Sequence, residues 1–209
     1  MFFSYLSNRH FLVKVNNEVT KLHSIASGVP QGSVLGPLLF VLFTADLPLS
    51  NDTSIATYAD DTVIMAVSCS PMVASLRLQN NLDRVQTWLK TWRIKANESK
   101  SIHVTFTLKK DSCPAVTLNN ITLHQSDEVK YLGIHLDRRL TWRKHIFMKR
   151  KQLGLQFRNL YWLVGKSSKL SLANKILIYK SILKPVWTYG IQLWGTAAES
   201  NLDIIQRFQ

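Results

Sequence analysis

Cysteine is nearly absent: the 209 residues contain two, Cys69 and Cys113, in no metal-binding or redox spacing. This sets aside a disulfide-built secreted module and a thiolate zinc site, and makes a reduced, intracellular setting the default. No apolar run approaches the roughly 18–20 residues that span a bilayer, and the opening MFFSYLSNRH lacks the layout of a signal peptide. No membrane role is therefore expected. Internal repeats and low-complexity tracts are missing as well. Acidic residues are scarce in two places: Glu18 alone precedes Gly28, and none lies between Arg138 and Lys184.

A 46% hydrophobic content is enough to bury a core in one or two domains. The formal charge of +13 points to an anionic partner. That charge is not spread evenly. Residues 1–137 carry twelve basic and eleven acidic residues, whereas 138–184 carry thirteen Lys or Arg and no Asp or Glu.

Residues 56–65 read ATYADDTVIM. Two β-prone segments, Ile55–Tyr58 and Thr62–Val67, flank Ala59-Asp60-Asp61 and predict a hairpin with adjacent carboxylates at its tip. On a buried hairpin the two would repel each other and resist dehydration, and a bound cation would relieve both costs. Oxygen ligands with little Cys or His nearby point to magnesium or manganese. Taken alone, an Asp-Asp pair is more often a solvated surface turn. Upstream, SGVPQGSVLGPLLFVLF at 27–43 predicts a Gly-rich loop feeding a helix from about 34–37 to Asp46, with Ser33 as cap and Pro37 in the first turn. Free N–H groups at such a helix start favour phosphates. Leu38, Leu39, Val41, Leu42 and Phe43 read as core.

GVPQGSVLGPLLF followed by TYADDT resembles motifs B and C of reverse transcriptases, in the spelling of jockey-like non-LTR retrotransposons. SYLSNRHFLVKV, WLKTWRIKANESKSIHVTF and VKYLGIHLDRRLTW match in the same order, so the resemblance spans nearly the whole chain. It implies an RNA-directed DNA polymerase that adds nucleotides by two-metal-ion catalysis, with two Mg2+ or Mn2+ ions. The implied fold class is α+β, part of a right-hand polymerase. The palm, with its antiparallel sheet and packed helices, occupies 1–137 and a basic helical thumb 138–209, without the fingers or the strand bearing motif A.

The resemblance makes Asp60 a metal ligand and catalytic residue, with Asp61 beside it. It places Gly28, Pro30, Gln31, Gly32 and Tyr58 at the dNTP and template. Lys100 matches a lysine that would protonate pyrophosphate, although an ordinary solvated lysine fits equally. Tyr131, Leu132 and Gly133 match the primer grip; a β-bulge glycine is the alternative at Gly133. The implied partners are an RNA template, a DNA primer, their duplex and dNTP. An upstream part of the same polyprotein is also implied, with an attached endonuclease left open. The implied location is the nucleus during target-primed synthesis and the cytoplasm otherwise.

Periodicity fills in the rest. Residues 2–7 read as a helix tail, and Asn16-Asn17 as a turn in a β-ribbon. Leu78, Leu82, Val85, Leu89 and Trp92 place an amphipathic helix over 72–95. A strand follows at 102–108, then short antiparallel strands over 115–136 with a turn at Asn119-Asn120. Basic helices are predicted over Trp142–Val164 and Leu170–Leu183, the second ending before Pro185. Arg138, Arg139, Arg143, Lys144, Lys149, Arg150 and Lys151 are the candidate contacts to a duplex backbone. A non-catalytic nucleic-acid-binding remnant is the competing function. Another right-hand polymerase, intron-encoded or viral, is a second rival.

Overall fold

The computed structural model describes residues 2–208. They form two compact units, one ending at Ala66 and the other starting at Val67. The expected palm–thumb boundary near Asp137 falls inside the second unit. The described helices include none long and apolar enough to cross a membrane.

In the first unit, α1 (Phe2–Leu6) leads into a nested ribbon of β1 (Arg9–Phe11), β2 (Lys14–Val15), β3 (Glu18–Val19) and β4 (His23–Ile25). β1 pairs with β4 and β2 with β3, around an Asn16-Asn17 turn. Asn16 sits at φ 55°, a left-handed conformation that asparagine tolerates well. α2 (Leu35–Phe43) follows, then β5 (Thr53–Tyr58) and β6 (Asp61–Ala66) as an antiparallel hairpin. The hairpin is its own two-stranded sheet, so both its faces stay largely open, and the expectation of a buried hairpin is wrong. The apolar side chains of α2 that read as core are likewise mostly exposed: Leu38, Val41, Leu42 and Phe43 all face solvent.

The second unit begins with α3 (Pro71–Thr91), whose Leu82 and Val85 are buried. Next come β7 (Ile102–Val104), β8 (Thr117–Leu118), β9 (Ile121–Thr122), β10 (His124–Ser126), β11 (Glu128–Tyr131) and β12 (Ile134–Asp137). α3 reaches β8 through polar side chains. Gln79 accepts from the Thr117 N–H (2.7 Å) and donates to its carbonyl (3.1 Å). Gln86 accepts from the Asn119 N–H at 2.9 Å. Together they stand in for a neighbouring strand at an otherwise unpaired edge. β8–β9 turns on Asn119 and Asn120, both at positive φ, as two-residue hairpins of this handedness require.

Two expectations fail here. β10 pairs with β7 in parallel, which the long connection from Val104 to His124 permits. The strand expected over 102–108 stops at Val104, and the Thr107 N–H turns aside to bond the Arg138 carbonyl at 3.0 Å.

The helices close the unit: α4 (Arg143–Val164), α5 (Leu172–Ile178), a π-helical turn at Tyr179–Leu183, α6 (Lys184–Thr188), α7 (Ile191–Trp194) and α8 (Glu199–Gln206). Their core is Trp142, Ile146, Leu153, Leu183, Trp194 and Ile205, with Ile134 and Leu136 of β12 packed against it. Ile146 and Leu153 share one face of α4 because a step of seven returns to the same side, and Trp142 packs with them from the position just before the helix. Truncating Leu153, which is fully enclosed, to alanine would cost about 2–5 kcal/mol. The helix expected to stop before Pro185 instead runs through it. Pro185 lies in the first turn of α6, and the preceding wide π turn, with the Lys184 N–H bonded to the Tyr179 carbonyl, relieves the clash a proline ring makes in a regular helix.

Candidate polymerase site

In the first unit, β5 and β6 meet through the facing pair Tyr58 and Asp61, leaving Ala59 and Asp60 as a two-residue loop. Ala59 lies at φ 52°, a left-handed conformation that costs a side-chain-bearing residue roughly 1–2 kcal/mol. The turn thus puts Asp60 at the tip and Asp61 at the start of β6. Both carboxylates are exposed, and neither has a hydrogen bond or ion pair among the described residues. Tyr58 is exposed too.

The Gly-rich loop leads into α2 as its sequence suggests. Gly28 and Gly32 have φ of 77° and 81°, and the space beside each is open. The Ser33 hydroxyl accepts from the Gly36 N–H at 3.1 Å and so acts as the expected cap. Pro30 and Gln31 are exposed in the loop. Among the described residues no hydrogen bond joins this loop to Asp60 or Asp61. The described residues also include no group of three or more His, Cys, Asp or Glu side chains close enough to hold a metal ion.

The remaining candidates lie in the second unit. Lys100 is exposed, its N–H held by the Asn97 side chain at 3.2 Å where the chain enters β7. Tyr131 closes the β11–β12 hairpin opposite Ile134, and Leu132-Gly133 is its two-residue turn, with φ of 44° and 80°. Gly133 is therefore a tight-turn glycine and not a bulge.

The basic residues divide into two groups. Arg138 donates to the carbonyls of Lys109, Lys110 and Asp111 at 3.0, 2.9 and 2.6 Å and lies 3.6 Å from Asp127. Lys144 pairs with Glu128. Lys149 sits over the Tyr189 ring and Arg150 over that of Phe208. Arg139, Arg143 and Lys151 are exposed and carry no partner among the described residues.

Three features escaped the sequence reading. Asp137 accepts from the Thr141 N–H and hydroxyl and from the Trp142 N–H, each at 3.0 Å. Burial pushes its pKa up, but these donors outweigh that and hold it below the usual carboxylate value. His145, fully buried, accepts from the His135 N–H at 3.2 Å. Tyr189 donates to the Leu132 carbonyl at 2.7 Å across 57 residues of sequence. Aspartate four residues before a threonine hints at the first; no local pattern marks the other two.

The family model described as "Reverse transcriptase (RNA-dependent DNA polymerase)" matches residues 2–136. The chain belongs to the reverse transcriptase family. Membership implies a right-hand polymerase palm, and the observed architecture is mixed α/β with small sheets. The chain is 42% identical over 211 residues to "Probable RNA-directed DNA polymerase from transposon X-element" of Drosophila melanogaster, covering 99% of this chain and 23% of that protein. It is 41% identical over 214 residues to "RNA-directed DNA polymerase from mobile element jockey" of the same organism, again covering 99% and 23%. A more distant relative is the "Retrovirus-related Pol polyprotein from type-1 retrotransposable element R1" of Bradysia coprophila, 26% identical over 177 residues, with 81% and 17% covered. The chain thus spans less than a quarter of the length of the relatives it matches most fully. No solved structure matches it. Reverse transcriptases normally use divalent metal ions, and the matched region contains Asp60 and Asp61.

Proposed function

We propose that this chain is the motif-B-to-thumb part of an RNA-directed DNA polymerase of a jockey-like non-LTR mobile element. The observation that carries the reading is the pair of exposed carboxylates at the tip of the β5–β6 hairpin, without a partner among the described residues, inside a family match that covers residues 2–136. Residues 1–137 would then be palm and 138–209 thumb. Asp60 and Asp61 suit a hard divalent cation, since both carboxylates offer only oxygen donors and no cation among the described residues pairs with them. Mg2+ or Mn2+ bound there, as two ions in a complete site, would supply charge neutralisation at the reacting phosphate.

The chain's own residues would do the holding. The open backbone at Gly28 and Gly32, stiffened by Pro30, lets Gln31 and the loop lie close to dNTP and templating base. The N–H groups at the start of α2 favour the anionic triphosphate. Tyr58 borders the carboxylates. Lys100, exposed ahead of β7, would give a proton to the departing pyrophosphate. Tyr131, Leu132 and Gly133 would meet the primer strand, and Arg139, Arg143 and Lys151 the phosphates of the RNA–DNA duplex, with Arg138, Lys144, Lys149 and Arg150 shaping that surface. An upstream segment, with or without an endonuclease, and a nuclear site of synthesis belong to the same proposal.

The test is primer extension on an RNA template by a polymerase that contains this chain. Asp60→Asn should abolish dNTP incorporation while leaving template binding and the circular dichroism spectrum unchanged. Retention of most activity would remove Asp60 from the metal site. Asp61→Asn should be damaging but less complete.

A further inference from the structure

The Leu132-Gly133 turn is an unusual one to leave unsupported. Two-residue hairpin loops with both φ values positive favour asparagine or aspartate before glycine, because a side chain such as leucine is strained there. Here the strained residue is held from a distant part of the chain. The Tyr189 hydroxyl donates to the Leu132 carbonyl at 2.7 Å, and the Tyr189 ring lies against Gly133, where a Cβ would come within 3.4 Å of Cε1. The next residue, Gly190, lies against Ile134, the first residue of β12. A Cβ on Gly190 would fall 2.8 Å from the Ile134 Cδ1, and its φ of 69° adds backbone strain for any other residue.

The corner formed by Tyr189 and Gly190 is itself anchored. The indole Nε1 of Trp194, in the core, donates to the Tyr189 carbonyl at 3.0 Å. Lys149 of α4 lies over the Tyr189 ring at 5.1 Å from its centroid. The turn is thus tied to α4 through the Tyr189 ring and to α7 through the Tyr189 carbonyl. A plain surface hairpin has no need of such a link. A turn that must present a backbone at a fixed height does.

We propose that Tyr189 is a positioning residue for the primer strand. It sets the Leu132-Gly133 turn against the helical part of the second unit, so that a shift of those helices carries the turn with it. This rests on the reading of Tyr131–Gly133 as the primer grip. It adds that the grip's geometry is set from the thumb side of the chain.

The test uses two readouts on the full chain and its Tyr189→Phe variant, which keeps the ring and loses only the donor. The first is amide hydrogen exchange. Losing one partly exposed hydrogen bond should speed exchange at residues 132–134 by roughly fivefold, with Ile146 and Leu153 unchanged. The second is the preference for a DNA primer recessed on an RNA template over a blunt RNA–DNA duplex, by fluorescence anisotropy. That preference should fall by a similar factor, with blunt-duplex affinity unchanged. Unaltered exchange at 132–134, or a uniform rise across the unit, overturns the proposal. Faster turn exchange with an intact recessed-end preference also overturns it, and Gly133→Ala then says why. If Gly133→Ala abolishes the preference, the grip reading stands and Tyr189 is not its support. If that variant too is without effect, the grip reading itself has failed.

Discussion

His145 shows how one enclosed side chain can tie two elements together and make their packing sensitive to pH. Its Nδ1 accepts from the His135 N–H, its ring lies 6.1 Å from that of Trp194, and it is fully buried. Burial lowers its pKa to about 4, with Lys149 and His135 acting in the same direction. Between that value and the ordinary 6.5 the unfolded chain binds a proton that the folded chain does not, so stability rises with pH across the window. It is fully present above about 6.5 and lost as pH falls toward 4, by about 3 kcal/mol at most. His103 and His135 are shifted the same way, chiefly by burial, and add to the slope. Urea unfolding from pH 4 to 7 should show this rise. His145→Gln should flatten it, and an equally steep curve in that variant would assign the slope elsewhere. Sequence gave little warning of this role, because a lone histidine on a basic helix looks like one more solvated charge.

At the scale of the element, α4 buries His145, Ile146 and Leu153 and carries many cations; the basic helix over 142–164 was predicted from the sequence, but not which of its residues are buried. The division of labour among the cations of 138–151 was not predictable, since it depends on residues 11 to 58 positions away. Arg138, Lys144, Lys149 and Arg150 have partners within the chain, whereas Arg139, Arg143 and Lys151 do not. The two groups should behave differently. Duplex binding with four to six phosphate contacts should give a slope of log affinity against log salt of roughly −4 to −5. Neutralising Arg139, Arg143 and Lys151 together should reduce that slope by roughly 2–3, with little change in stability. Arg138→Met should instead destabilise the fold, because three carbonyls and Asp127 lose their donor. Titrations at several salt concentrations, with thermal melts alongside, separate the two; a slope near zero in the parent chain would reduce the whole stretch to a solvated face. Local turn chemistry was equally readable at Asn16-Asn17, Asn119-Asn120 and the Asp60 hairpin. The parallel β7–β10 pair and the π turn before Pro185 were not, since each is decided by tertiary packing over local propensity.

For the molecule as a whole, the decisive quantity is the number of carboxylates that can be fixed around a metal pair. Asp60 and Asp61 share a turn in the first unit, and among the described residues no third acidic, histidine or cysteine side chain joins them. Two metals about 3.5–4 Å apart need more fixed oxygen ligands than two adjacent side chains supply. Before Gly28 the chain offers Glu18, which sits on β3 of the ribbon, and among the described residues the outer edges of the two-stranded β5–β6 sheet pair with no further strand. The 209-residue chain alone should therefore incorporate little or no dNTP on an RNA template, despite its Gly-rich loop and Asp60-Asp61 pair. Extending it with the segment that precedes the matched region in the X-element polymerase should restore synthesis, provided that segment brings an aspartate onto a strand beside β5–β6. The two polypeptides are compared by primer extension in Mg2+ and again in Mn2+. Asp60→Asn in the longer one serves to show that restored activity runs through this turn. Equal activity from the short chain would mean that Glu18 or Asp46 completes the ligand set and that no upstream carboxylate is needed.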